Sequence, residues 1–150
     1  MPVHFLASPE DIVEIGENDL ISLSNSYDAL FPGESFACDL TLISLEEIQN
    51  LNRDHRNIDT PTDVLSFPTF SDQVELHTAA KDHEVLLGSV VIAREKAIEY
   101  GETLIQLTHH GLLHLMGEDH ETNLTRWQAQ EERILVELAK SHITFPAVTV

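Results

Sequence analysis

The sequence predicts an α+β domain in which helices pack on one small mixed sheet of about four strands. Short runs rich in β-branched residues and amphipathic segments of helical period occur in mixed order, not in strict strand–helix–strand alternation. The 150 residues, 42% of them hydrophobic, suffice for one domain with its own core, and no repeat or linker interrupts them. We therefore predict a single domain spanning residues 1–150.

Four segments are predicted to form the strands. Each is rich in β-branched or aromatic residues and is bounded by a proline or a polar segment: 3–6, 36–43, 64–68 and 85–93. The last run is apolar almost throughout, which is typical of a buried central strand, and it contains Gly88.

The predicted helices cover residues 18–31, 44 to about 55, 94–100, 103–116 and 122 to about 141. The second begins at Ser44 with a capping box completed by Glu47. The last should bury a stripe of apolar residues, namely Leu124, Trp127, Ile134, Leu135 and Leu138. Residues 71–83 are polar and mixed, and we predict a surface loop there.

The charge balance is strongly acidic, with 8 Lys+Arg against 26 Asp+Glu and a net charge of −18. Nucleic-acid phosphates repel such a chain, so any interaction with RNA requires a few arginines concentrated at the site or a partner that supplies positive charge. The single cysteine, Cys38, excludes an internal disulfide and favours a reducing compartment. With no signal peptide and no membrane span expected, the predicted location is the cytoplasm.

Residues 110–120 contain three histidines with the spacing of metal ligands. His110 and His114 lie four residues apart, so one helix face presents both imidazoles. Gly117 should end the helix, and the turn after it can return His120 as a third ligand. Three neutral imidazoles with an open fourth position are typical of a catalytic zinc site, and we predict one Zn²⁺ per chain held by His110, His114 and His120.

One class of zinc proteases uses the same histidine spacing but places a glutamate directly after the first histidine as general base. Gly111 occupies that position here, which argues against peptide hydrolysis. A metal-dependent hydrolase of another substrate stays open, with Glu118 or Glu121 as a base from outside the helix.

Three motifs closely resemble the signature of the YbeY family, the bacterial endoribonucleases of ribosomal-RNA maturation. They occur in the family's order and spacing over about residues 51–120: Leu51-Asn52-x3-Arg56-x2-Asp59-x-Pro61-Thr62-Asp63-Val64-Leu65-Ser66-Phe67-Pro68, then Leu87-Gly88-x-Val90-Val91-Ile92, then His110-Gly111-x-Leu113-His114-Leu115-x-Gly117-x-Asp119-His120. Two positions depart from the pattern. Ser89 replaces an aspartate, which puts in doubt a hydrogen bond from that strand to a ligand histidine, and Glu118 replaces a common tyrosine.

The resemblance implies a zinc-dependent endoribonuclease that cleaves single-stranded RNA in small-subunit ribosomal-RNA maturation and ribosome quality control. It implies zinc on His110, His114 and His120, with Arg56 beside the metal. We therefore expect Arg56 and His114 to be catalytic, with Arg56 stabilising negative charge on phosphate. The expected partners are ribosomal RNA and ribosomal proteins or assembly factors of the small subunit.

The residues alone leave other interpretations open. Arg56 can be an ordinary loop arginine paired with Asp54 or Asp59. Asp63 can cap the following strand or orient Arg56. His109 is expected at the surface or beside a ligand, because it points about 100° away from His110 on the helix. The competing function is a non-enzymatic ribosome-assembly factor with a structural metal.

Overall fold

The computed structural model describes residues 2–117 and 124–139. Strands and helices follow one another in these residues as β1 (Val3–Leu6), α1 (Pro9–Ile15), α2 (Glu17–Leu30), β2 (Phe36–Ile43), α3 (Leu45–Arg56), β3 (Val64–Pro68), α4 (Gln73–Asp82), β4 (Val85–Ala93), α5 (Arg94–Tyr100), α6 (Leu104–Leu115) and α7 (Leu124–Ala139). No helix in these two ranges is long and apolar enough to cross a bilayer.

The strands form one mixed sheet in the order β1-β2-β4-β3. Strands β1, β2 and β4 run parallel, and β3 pairs antiparallel with β4. The predicted fold class is therefore confirmed, and so are the bounds of all four predicted strands. The capping box is confirmed as well, since the Ser44 hydroxyl accepts from the Glu47 amide at 3.1 Å and Glu47 accepts from the Ser44 amide.

Helices cover the two faces of this sheet unequally. On one face, α3 encloses a small cluster formed by Ile48, Leu65 and Ala93. The opposite face carries the main core, to which α2, α4, α6 and α7 contribute buried side chains. Because successive strand residues point to opposite faces, Leu65 and Phe67 of β3 face α3, whereas Ser66 faces α6.

Gly88 lets two elements approach strand β4 closely. The pairing with β2 shifts there, since Ala37 pairs with Leu86 but Cys38 pairs with Gly88. Gly88 has a φ of 143°, and a Cβ atom on it would lie 2.1 Å from the Phe67 carbonyl oxygen and 2.9 Å from Leu115 Cδ2. A side chain at this position would separate β3 and α6 from the central strand.

The structure corrects the prediction of a surface loop over residues 71–83, because residues 73–82 form helix α4. The Asp72 carboxylate caps it by accepting from the amides of Val74 and Glu75 at 2.8 and 3.3 Å. Leu76 and Ala80, four residues apart, are its buried side chains. Two apolar anchors in a polar segment give too weak a period to identify a helix from sequence.

The predicted core stripe of α7 is confirmed in part. Trp127, Ile134 and Leu138 are buried, and Leu135 packs partly buried against the core. Leu124 is 44% exposed, so its prediction was wrong, and it is the first residue of the helix. The ends predicted for this helix at 122 and 141 lie outside the described residues, as does His120.

Candidate metal centre

His110 and His114 lie side by side on one face of α6, as predicted. Their ring centroids are 4.9 Å apart with an angle of 66° between the ring planes, and both residues are partly buried. Zinc–nitrogen bonds of about 2.0–2.1 Å at a tetrahedral angle place two bound imidazole centroids about 5 Å apart. The observed pair therefore fits two ligands of one zinc ion.

The third predicted ligand, His120, lies outside the described residues, so its role stays a prediction. Within residues 2–117 and 124–139, no group of three or more His, Cys, Asp or Glu side chains is arranged to hold a metal. The described part of the site is thus the histidine pair and the groups that surround it.

Gly111 places α6 directly on the sheet. A Cβ atom there would lie 2.6 and 2.8 Å from the two γ-methyl groups of Val90 and 3.3 Å from the Ser66 hydroxyl oxygen. The Ser66 hydroxyl donates to the Gly111 carbonyl at 3.3 Å, which ties β3 to the same helix turn. Because no side chain fits between α6 and β4, packing excludes the glutamate that zinc proteases carry at this position.

Gly117 follows the end of the helix, as predicted. Helix α6 ends at Leu115 with Met116 as its C-cap, and Gly117 adopts a φ of 88°. A Cβ atom on Gly117 would lie 2.5 Å from Nε2 of Gln73, the first residue of α4. The Gln73 Oε1 atom accepts from Arg126 Nη2 of α7 at 2.9 Å. The turn that leads toward His120 therefore leaves α6 where α4 and α7 meet.

Trp127 of α7 contacts both imidazoles, which the sequence did not reveal. Its ring centroid lies 5.0 Å from that of His110 and 4.8 Å from that of His114. The indole is 1% exposed, and its Nε1–H donates to Glu131 Oε2 at 2.9 Å. The helical spacing of apolar residues predicted that Trp127 is buried on one face of α7. Which residues of α6 it contacts depends on how the two helices pack together, and no local sequence pattern encodes that.

His109 lies in the interior with 3% exposure, so the surface position, one of the two predicted for it, is wrong. Its predicted position beside a ligand histidine stays a prediction. Burial, and secondly the neighbouring His110, lower the pKa of the His109 imidazole to about 3. The reason is that α6 is buried around most of its circumference, including positions that a two-sided helix would expose.

Arg56 is the last residue of α3 and is exposed. The ion pairs considered from sequence are wrong, because Asp54 pairs with Arg53 at 3.2 Å and the Asp59 carboxylate accepts from Gln49 at 3.1 Å. Among the described residues, the Arg56 side chain makes no hydrogen bond or ion pair. Its guanidinium is therefore available to an external anion.

The adjacent His55 places the end of α3 beside β3. Its ring lies 4.9 Å from that of Phe67, edge to face. Ser89 pairs with Phe67 across the sheet and so faces α3 rather than α6. Ser89 therefore lies on the opposite face of the sheet from the histidine helix α6.

Asp63 caps strand β3, which was one of its two predicted roles. Its Oδ1 atom accepts from the Val64 amide at 2.8 Å and from the Thr62 hydroxyl at 3.3 Å. Glu102, just before α6, lies beside it. Burial raises the pKa of the Glu102 carboxyl to about 8, and a hydrogen bond with Asp63 and its negative charge add to this. This acidic pair lies at the beginning of α6, and the histidine pair lies near its end.

The fold and the site together define a class, an α+β protein that carries two adjacent histidines on one face of a helix packed against a mixed sheet. The family model described as endoribonuclease YbeY matches residues 21–139. The endoribonuclease YbeY of Carboxydothermus hydrogenoformans is 39% identical over 140 residues, which cover 84% of this chain and 90% of the relative. That of Aliarcobacter butzleri is 37% identical over 127 residues, covering 79% and 83%.

The chain therefore belongs to the YbeY family, as its motifs predicted. The predicted class of enzyme, a hydrolytic endoribonuclease, agrees with this family. A solution structure of TM1509 from Thermotoga maritima matches with a TM-score of 0.51 and 24% identity, over 93% of this chain and 91% of that one. This likeness supports the fold.

Proposed function

We propose that this protein, as a single domain of residues 1–150, is a zinc-dependent endoribonuclease of the cytoplasm. It cleaves single-stranded RNA during maturation of small-subunit ribosomal RNA and in ribosome quality control. The observation that carries the proposal is the pair of imidazoles on α6, 4.9 Å apart, in a chain of an endoribonuclease family.

His110, His114 and His120 would hold the metal. His114, in the last turn of α6, would be a catalytic residue as well as a ligand. When bound, zinc supplies a water molecule whose pKa is lowered toward roughly 7 and an electrophile for a phosphoryl oxygen. A metal binds the neutral form of each imidazole, so its affinity should fall as the pH is lowered.

Arg56 would bind the phosphate at which negative charge develops. Its planar guanidinium donates two parallel hydrogen bonds to phosphate oxygens, and no internal carboxylate of the described residues competes for it. The short loop after α3 connects directly to β3, on which the histidine helix packs.

The acidic chain should bind naked RNA weakly. With a net charge of −18, long-range attraction to phosphate is absent, and only local arginines favour contact. We therefore propose that productive recognition needs the ribosomal context, with a small-subunit ribosomal protein or assembly factor as partner.

The test is cleavage of labelled single-stranded RNA by metal-loaded wild type, His114→Ala, Arg56→Ala and Arg53→Ala. Arg53 is the matched control, because it lies on the same exposed turn of α3 but pairs with Asp54. The assay uses excess RNA at low ionic strength, so that weak binding of naked RNA does not limit it. Wild type and Arg53→Ala should then cut, His114→Ala should not, and Arg56→Ala should lose about 100-fold in rate with unchanged metal content. Equal cutting by all four proteins would identify a contaminating nuclease.

A ribosome-assembly factor with a structural metal is the second candidate, since the histidine pair joins α6 to Trp127 of α7. It predicts that a chelator unfolds the protein and that Arg56→Ala has no effect in cells. The enzyme predicts the reverse on both counts.

A further inference from the structure

The two imidazoles of the candidate metal centre share one neighbour. Trp127 lies 5.0 Å from His110 and 4.8 Å from His114, measured between ring centroids, and its ring planes make angles of 61° and 45° with theirs. It is among the largest fully buried side chains of the molecule. A single side chain from α7 thus contacts both metal-facing residues of α6.

This contact restricts the orientation of both rings. A histidine ring rotates about χ1 and χ2, and a metal gains affinity when its ligand rings are already oriented. Ligand histidines usually obtain this from a hydrogen bond of the second ring nitrogen. Packing supplies a further restraint: a rigid indole lies against both rings at once and limits their rotation through van der Waals contact.

The indole is itself held in place. Its Nε1–H donates to the Glu131 carboxylate, one turn further along α7, at 2.9 Å. Its ring also belongs to the main core, together with Ile134 and Leu138 of the same helix. Glu131 thus helps to hold Trp127 in place, and Trp127 in turn restricts the rings of His110 and His114.

We propose that Trp127 is a positioning residue for the metal ligands His110 and His114, which makes α7 a functional part of the metal centre. The inference rests on the proposed metal at these histidines. A positioning role differs from a purely structural one, because loss of the indole should then weaken metal binding and not only lower the stability of the fold.

The test is Co²⁺ affinity by competition with a chromogenic chelator, for wild type, Trp127→Leu, Trp127→Phe and Ile134→Ala, with unfolding of each apoprotein measured in parallel. Leucine keeps an apolar side chain but removes the flat ring and part of the buried volume, whereas phenylalanine keeps a smaller ring. The parallel unfolding measurement shows that each variant is folded under the conditions of the cobalt titration. Ile134→Ala is the matched control, because Ile134 is an equally buried core residue of α7. We expect Trp127→Leu to bind at least about 10-fold more weakly, as for other residues that orient ligands. Trp127→Phe should stay within about 3-fold of wild type, and Ile134→Ala should bind like wild type while losing stability.

A second readout uses the fact that Trp127 is the only tryptophan of the chain. Bound Co²⁺ should quench its emission with the same midpoint as the cobalt absorption bands, in wild type and in Ile134→Ala. Cobalt binding without quenching would overturn the proximity on which the inference stands.

The outcomes separate the two proposals. If wild type binds Co²⁺ but Trp127→Leu binds as tightly as Ile134→Ala, the positioning role is wrong and the metal centre stands. If wild type binds no Co²⁺, the metal centre itself fails, and the inference fails with it.

Discussion

Two regions of helix α6 carry an ionisable group whose neutral form is favoured: Glu102, just before its first turn, and His109, in its middle. At the beginning, the pKa of Glu102 rises to about 8, chiefly by burial and then through Asp63. In the middle, the pKa of His109 falls to about 3, again chiefly by burial. Loss of hydration disfavours the charged form whatever its sign. Glu102 and His109 are therefore both held in their neutral forms near pH 7, even in a chain with 26 acidic residues.

The two regions differ in what surrounds them. The early turn is joined to the sheet through carboxyl groups, whereas the later turns contact it through Gly111, without a side chain. A substitution in the later turns should therefore lower the free energy of unfolding strongly and by the same amount at every pH. A substitution in the early turn should change it only slightly, and by an amount that depends on pH.

Gly111→Ala should give the largest effect. The added Cβ overlaps both methyl groups of buried Val90, and overpacking of this kind costs about 3 kcal/mol of unfolding free energy. Urea unfolding at pH 6 and pH 9 measures it, and the loss should be similar at both values. The double variant with Val90→Ala should recover part of the loss, and failure to recover any would contradict this packing explanation.

Gly117→Ala should cost about 2 kcal/mol, because it combines a left-handed backbone with a clash against Gln73. The matched control is Gly101→Ala, which has a φ of 68° but no atom within 4 Å of the added Cβ. It should cost only about 1 kcal/mol, the conformational part alone. Thermal or urea unfolding of the pair therefore separates strain from contact, and equal losses would exclude a role for Gln73.

Glu102→Gln should have the smallest effect and the only strong dependence on pH. The raised pKa means that the folded state holds a proton more tightly than the unfolded state, so wild-type stability falls as the pH rises from about 4.5 to about 8. Glutamine keeps the neutral form at every pH. The variant should match wild type near pH 4 and exceed it by about 1 kcal/mol at pH 9, after allowance for solvent screening.

Unfolding free energies at a series of pH values test this directly. A constant difference between Glu102→Gln and wild type across the range would show that the Glu102 carboxyl does not retain its proton when folded.

Local patterns in the sequence predicted the parts of the molecule that local forces determine. Runs of β-branched residues defined all four strands, and Ser44 with Glu47 defined the start of α3. The spacing of His110 and His114 was enough to place both imidazoles on one face. The motifs identified the family, and with it the enzyme class.

Tertiary packing determined what the sequence did not reveal. Helix α4 is stabilised by the burial of Leu76 and Ala80 in the core, and two apolar residues in a polar segment were not enough to predict that burial from the sequence. The contact of Trp127 with both histidines requires the packing of α7 against α6. A surface position for His109 stayed open beside an interior one because a helical wheel cannot show how many elements pack around the helix. The catalytic roles of Arg56 and His114, and the third ligand His120, stay predictions.

The absence of a side chain at Gly111 also concerns motion. Where a helix and a sheet meet through side chains, rotamer changes allow one to shift while the other stays. At Gly111 the helix backbone rests on Val90, and Ser66 ties its carbonyl to β3. Local opening of this turn would have to displace the central strand as well. The amides around His110 and His114 should therefore exchange hydrogen as slowly as those of β4, because this turn of α6 and the sheet open as one cooperative unit.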